Sequence, residues 1–202
     1  MSGIDYEIQS RALDKASNYD NVYSTKTFRF DSGTPISSVT TPSALYVSNI
    51  APVTISGTSY DPGGSGVTAV KAKIRRNSDN YWWSASDAQF ASAEGDNNAS
   101  GTNPWSINIT AGLLDNVSYY VQASARDQAG LIEAYPGYSP RTFWIDYSSP
   151  TSGITQPVDG KYYKALASLK GTASDITAGV KEAGILLQDL INGASYWNAV
   201  AL

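Results

Sequence analysis

The sequence predicts an all-β chain of tandem antiparallel β-sandwiches, on three observations. Short runs alternate apolar and polar residues with period two and are separated by clusters of turn residues, the pattern of half-buried strands. Helical periodicity is weak throughout; Val180 to Ile191 comes nearest, but it carries Gly184 and aligns with an earlier alternating strand, so it is also read as strand. The chain also repeats itself with a period of about 113 to 115 residues, the size of one small domain and too long for a solenoid unit.

The repeat is visible residue by residue. Tyr6-Glu7-Ile8-Gln9 with Ala12 and Asp14 returns as Tyr119-Tyr120-Val121-Gln122 with Ala125 and Asp127, at an offset of 113. Thr27-Phe28 with Asp31 and Pro35 returns as Thr142-Phe143 with Asp146 and Pro150, at 115. Gly57-Thr58 with Asp61 returns as Gly171-Thr172 with Asp175, at 114, and Tyr81-Trp82 as Tyr196-Trp197, at 115. The expected organisation is the closing strands of one repeat over 1–30, a complete sandwich over 31–146, and the opening strands of another over 147–202.

Within the central repeat, strand A is expected at Ile36–Thr41 and strand B at Val53–Tyr60, where Val53 and Ile55 alternate with Thr54 and Ser56. Strand C, Val67–Arg76, sets Val70, Ala72 and Ile74 against Lys71, Lys73 and Arg75. A short C′ follows at Tyr81–Ser84, then E at Pro104–Thr110, F at Val117–Asp127 and G at Arg141–Asp146. Asp61-Pro62-Gly63-Gly64, Asn77 to Asn80 and Glu94 to Pro104 are rich in breakers and separate them. Seven strands in about 115 residues fit a tandem immunoglobulin-like (fibronectin-III-like) antiparallel β-sandwich. Leu114 to Tyr119 places a tyrosine at the start of strand F, where its ring would fill the end of the core and its hydroxyl would meet backbone upstream. Tyr6 holds the same place in the first repeat.

Composition limits the chemistry. The 202 residues include no Cys and no His, which removes disulfides, thiolate sites, Ser-His-Asp triads and His-ligated metals. Charged residues are 16% with a net charge of −4, and no basic stripe suggests nucleic acid or an anionic membrane. Arg75-Arg76 is read as a solvated strand end. No apolar run is long enough to span a membrane. Met1-Ser2-Gly3 leads straight into strand-like sequence, so the signal of an exported parent is expected upstream.

The stretch Tyr119 to Gly130 resembles strand F and the following turn of bacterial Ig-like and fibronectin-III-like repeats. Gly171 to Asp175, followed by Gly179-Val180, is similar to their B–C segment. What the resemblance implies is a module of a large extracellular or cell-surface bacterial protein, joined end to end to neighbouring repeats or like chains, and no enzymatic activity.

Two kinds of site are weighed against that reading. Trp82, Trp105 and Trp197, with Tyr6 and Tyr119, are assigned to packing, because large aromatics in a sandwich are usually core. Trp83 is assigned to the opposite face of its strand, and so becomes the candidate ligand-binding residue for a glycan or host surface. On that basis the alternative is a carbohydrate-binding accessory module of a secreted hydrolase. The acidic loops leave calcium as the one cofactor to consider. Asp61 and Asp175 lie between strands B and C, Asp14 and Asp127 follow strand F, and Asp115 precedes it. Each loop offers a single carboxylate where calcium needs six to eight oxygens, so each Asp is read as capping its own turn. The alternative is that Asp115 converges with another loop or an adjoining domain on a calcium ion. Lys71 and Lys73 lie on the polar face, away from any internal crosslink. The sequons at Asn98, Asn108 and Asn116 are read as chance. The partial repeats at either end would each expose an apolar face, which a free chain could cover by strand complementation between copies, giving a filament.

Overall fold

A computed structural model describes residues 2–48, 52–191 and 196–201, the last segment for its backbone only. Among these residues the chain is all-β, with no helix. Strands β1 (Ile4–Ser10) and β2 (Ser24–Phe30) form an antiparallel hairpin. Ten strands follow: β3 (Ile36–Thr41), β4 (Tyr46–Val47), β5 (Val53–Tyr60), β6 (Val67–Arg76), β7 (Tyr81–Ser84), β8 (Gln89–Ala91), β9 (Asn97–Asn98), β10 (Trp105–Ile109), β11 (Val117–Asp127) and β12 (Arg141–Ile145). The last four, β13 (Thr151–Gln156) with β14 (Lys170–Ser174) and β15 (Ala183–Gln188) with β16 (Tyr196–Ala201), make two antiparallel pairs.

The central strands divide into two facing sheets. One has the order β10-β5-β3, the other β4-β12-β11-β6-β7-β8 with β9 added beside β6. Every pairing is antiparallel except the short parallel contact of β4 with β12. Alternation decides what lies between them. Val53, Ile55, Trp105, Ile107 and Ile109 point inward from the first sheet, and Val70, Ala72, Ile74, Tyr119, Val121, Phe143 and Ile145 from the second. Their polar neighbours Thr54, Lys71 and Asn108 face water. Burying this apolar set is the main favourable term for the sandwich.

The expected strands A, B, C, C′ and F coincide with β3, β5, β6, β7 and β11, while E and G are each trimmed at their ends. Sequence patterning missed β4, β8 and β9, which have two or three residues each and are too short to show a period. Asn97 in β9 is buried because its side chain closes the sheet edge. It donates to the carbonyls of Ala72 and Trp83 and accepts from the Ala85 N–H.

Two hairpin geometries recur at the offsets of the sequence repeat. In β1–β2, Ile4 faces Phe30 and Tyr6 faces Phe28; in β11–β12, Val117 faces Ile145 and Tyr119 faces Phe143. The Tyr6–Phe28 rings stack at 5.3 Å and the Tyr119–Phe143 rings at 5.6 Å. The β3–β5 register, with its bulge after Val39, recurs in β13–β14 with a bulge after Ile154. At both places a glycine fits a close backbone crossing. A Cβ on Gly57 would lie 1.8 Å from the Ser38 carbonyl, and one on Gly171 2.5 Å from that of Gly153.

The surroundings differ. Tyr119 is fully buried, whereas Tyr6 is 38% exposed and Phe28, Phe30 and Ile8 are exposed beside it. The β13–β14 and β15–β16 hairpins likewise border an open groove lined by Ile154, Tyr163, Leu166, Leu169, Ile185 and Leu187.

Candidate functional site

Three aspartates from separate segments converge where the β1–β2 hairpin meets the sandwich. Asp31 follows β2, Asp61 opens the β5–β6 loop and Asp127 ends β11. One carboxylate oxygen from each lies within 4.8 Å of the others, close enough to hold a metal ion. Asp61 and Asp127 are 8% and 2% exposed, and Asp31 is half-buried.

Local chain geometry fixes each carboxylate. Asp61 begins Asp-Pro-Gly-Gly-Ser-Gly and caps its own turn: Oδ1 accepts from the Gly63 N–H, and Oδ2 from the Gly66 N–H and the Ser65 hydroxyl. Gly64 and Gly66 have φ of 82° and 93°, which side-chain-bearing residues rarely adopt. Asp127 Oδ1 accepts from the Leu131 N–H across the turn after β11, while its Oδ2 is buried with no hydrogen-bond partner. Asp31 reaches across the junction. Its Oδ1 accepts from Ser2 Oγ and the Gly33 N–H, and its Oδ2 from the Ser65 N–H. The Ser65 side chain, then the Gly33 N–H, lower the pKa of its carboxyl to about 2.

The junction is tight because its loop lacks side chains. A Cβ on Gly63 would lie 1.6 Å from Asp31 Oδ1, and one on Gly33 would lie 2.7 Å from the Gly63 nitrogen. Arg29 adds a second clasp, bonding the Gly64 carbonyl at 2.8 Å while its guanidinium also pairs with Asp5.

The same arrangement begins again at the far end of the sandwich. Asp146 and Asp175 occupy the places of Asp31 and Asp61 at offsets of 115 and 114. Asp175 caps its turn by accepting from the N–H groups of Thr177, Ala178 and Gly179. The Ala178 N–H also donates to Asp146 Oδ2, as Ser65 does to Asp31, and Asp146 Oδ1 is buried without a partner. Asp115 sits beside this junction, accepting from the Tyr147 N–H and from Ser148 Oγ. Asp14 stays apart and caps its own turn against Ala16 and Asn18.

The aromatic assignments need two corrections, at Trp83 and Trp82. Trp83 was expected outward, but it is 1% exposed and part of the core, in contact with Phe90. Register explains it. Trp82 pairs with Arg75, which faces away from the core, so Trp82 shares that outer face and Trp83 turns inward. Arg75 lies 5.8 Å from the Trp82 ring and 5.5 Å from that of Tyr120. Trp82 is therefore half-exposed on the outer face instead of filling the core. Trp105 is fully buried, its indole N–H bonded to the Thr58 carbonyl. The side chain of Trp197 lies outside the described residues, although its backbone pairs with Leu187. Arg76 is not a solvated strand end. Its side chain is 12% exposed, paired with Asp79 and bonded to the Gly112 carbonyl.

The sequence showed one acid per loop but not that three loops meet. Their common offset within the repeat was the only available hint. No family model and no curated protein matches this chain.

Proposed function

We propose that this chain is a non-catalytic structural and adhesive segment of a long, repetitive, exported bacterial surface protein, built from immunoglobulin-like sandwiches joined end to end. The observation that carries the reading is the repeated junction: Asp31 held by the loop of Asp61, and Asp146 held by the loop of Asp175. A contact that recurs at the domain period suits a chain of like units with a fixed spacing. The duplicated registers of β1–β2 with β11–β12, and of β3–β5 with β13–β14, support the same view. So does the partition of strands, with A, B and E in one sheet and C, F and G in the other.

On this reading the exposed apolar faces of β1–β2 and β13–β16 are module interiors awaiting their remaining strands, supplied by neighbouring repeats or like chains. The carbohydrate-binding alternative loses its candidate residue, since Trp83 is in the core. Small-angle scattering on the purified chain tests the proposal. An elongated particle is expected, with the hairpin and sandwich in line. A compact profile would overturn it.

A further inference from the structure

We propose that Asp31, Asp61 and Asp127 form a calcium site that locks the β1–β2 hairpin onto the sandwich. The inference stands on the geometry of this one junction and does not depend on the surface-protein reading.

The first ground is convergence. Residues 96 positions apart in the chain bring three carboxylate oxygens within 4.8 Å of one another. Among the described residues, no Lys or Arg forms an ion pair with any of the three. Three like charges, two of them buried, are held together with nothing opposite in sign bonded to them.

The second ground is the unpartnered oxygen. Asp127 is 2% exposed, and its Oδ2 has neither a donor nor solvent. Asp61 and Asp31 satisfy their oxygens through backbone N–H groups, so the capping reading accounts for them. It does not account for Asp127 Oδ2. A buried carboxylate oxygen without a donor is rare and calls for an ion or a water. Where the junction repeats, an unpartnered buried oxygen is present as well, there on Asp146, the residue in the place of Asp31.

The donor set selects the ion. With no Cys or His anywhere in the chain, the ligands are oxygens, which suit hard cations. Magnesium keeps most of its waters and usually takes only one or two carboxylates, whereas calcium accepts several in a flexible geometry. Three protein carboxylates within 4.8 Å of one another therefore favour calcium. Three carboxylates leave positions for water, which points to the modest affinity of extracellular modules, about 10⁻⁴–10⁻³ M.

Asp31 belongs to the hairpin side of the junction, and Asp61 and Asp127 to the sandwich. The ion therefore binds only when the hairpin is docked, and binding shifts the junction toward its docked state.

The test uses the whole chain, stripped with chelator and titrated with calcium chloride by calorimetry, with thermal unfolding in parallel. Saturable binding is expected, together with a higher melting midpoint and at least about a tenfold weaker response to magnesium. D127N should weaken calcium binding about tenfold or more. It should also melt above the parent chain in chelator and below it in calcium, because one substitution removes both the repulsion and the ligand. Should D127N fail to fold, D31N, outside the core, answers the same question through affinity. No heat and no midpoint shift up to about 10 mM calcium, or unchanged affinity in the folded variant, overturns the proposal. A rod-like chain that binds no calcium would refute this site and leave the structural reading standing.

Discussion

Glu133 receives both hydrogen-bond donors of Ser37, a residue 96 positions earlier in the opposite sheet: the N–H reaches Oε1 at 3.0 Å and the hydroxyl reaches Oε2. The same carboxylate accepts from the N–H groups of Tyr138 and Ala125. Ser37 lies in β3 and Ala125 in β11, so one buried side chain ties the two sheets together, beside the backbone bonds of β3 to Tyr138 and Ser139. Its four donors satisfy a group that burial would otherwise make costly.

Replacing Glu133 by Gln keeps the shape and turns one acceptor into a donor facing other donors. A loss of about 2–3 kcal/mol is expected, the cost of leaving buried groups unmatched. Urea midpoints at unchanged m-value would measure it. A variant as stable as the parent would mean that the clasp is not needed.

Tyr119 closes the other end of the core, its Oη accepting from the Leu114 N–H at 2.7 Å with the Arg76 guanidinium also interacting with the hydroxyl. Tyr119→Phe keeps the ring stacked on Phe143 and removes the hydroxyl. About 1 kcal/mol should be lost, read from the same denaturation series.

How much of this was legible in the sequence depended on run length. The long alternating runs of β5, β6 and β11 could be read to the residue, because one face is mostly apolar and the other mostly polar over many positions. Two-residue strands such as β4 carry no period, and Trp82-Trp83 carries two aromatics whose faces only the pairing with Arg75 decides. The aspartate triad stayed hidden for a related reason. Convergence of loops is set by the two sheets and the docked hairpin, whereas each loop alone shows one capping acid. Glu133 gave no signal, since its partners come from β3, β11 and a loop.

The corrected tryptophans make opposite predictions. Trp83→Ala empties a core site and should cost about 3–5 kcal/mol. Trp82→Ala removes an outer-face ring beside Arg75 and should cost about 1 kcal/mol. Glycan-array binding that survives in the parent chain and vanishes in Trp82→Ala would revive the carbohydrate reading on a different residue.

Alkaline pH should weaken the sandwich. Burial pushes the Tyr135 phenol well above its usual value near 10, and its hydrogen bond to Asp96 adds to this; burial raises Tyr119 as well. Once the unfolded chain begins to ionise, the folded state holds more protons, so stability falls as pH rises. The contribution is fully present below about pH 10 and is lost above it. Melting midpoints followed from about pH 8 to about pH 11 should drop on the alkaline side, and less steeply in Tyr135→Phe.

The junction can be opened without touching the core. Gly63 has no room for a side chain, since its Cβ would fall 1.6 Å from Asp31 Oδ1. Its backbone otherwise lies outside the left-handed region, so alanine there is a steric probe of docking and not of turn strain. In Gly63→Ala, Asp31 must leave, and with it goes the bond from the Ser65 N–H at 3.0 Å. Arg29 also loses its grip on the Gly64 carbonyl. Because none of these groups belongs to the apolar core, the main unfolding midpoint should move by about 0.5 kcal/mol or less. Hydrogen exchange at Ser65, and along β1 and β2, should accelerate instead, as a local opening decoupled from global unfolding. If those amides stay as protected as in the parent chain, the hairpin is not held by this contact and the rigid junction is wrong.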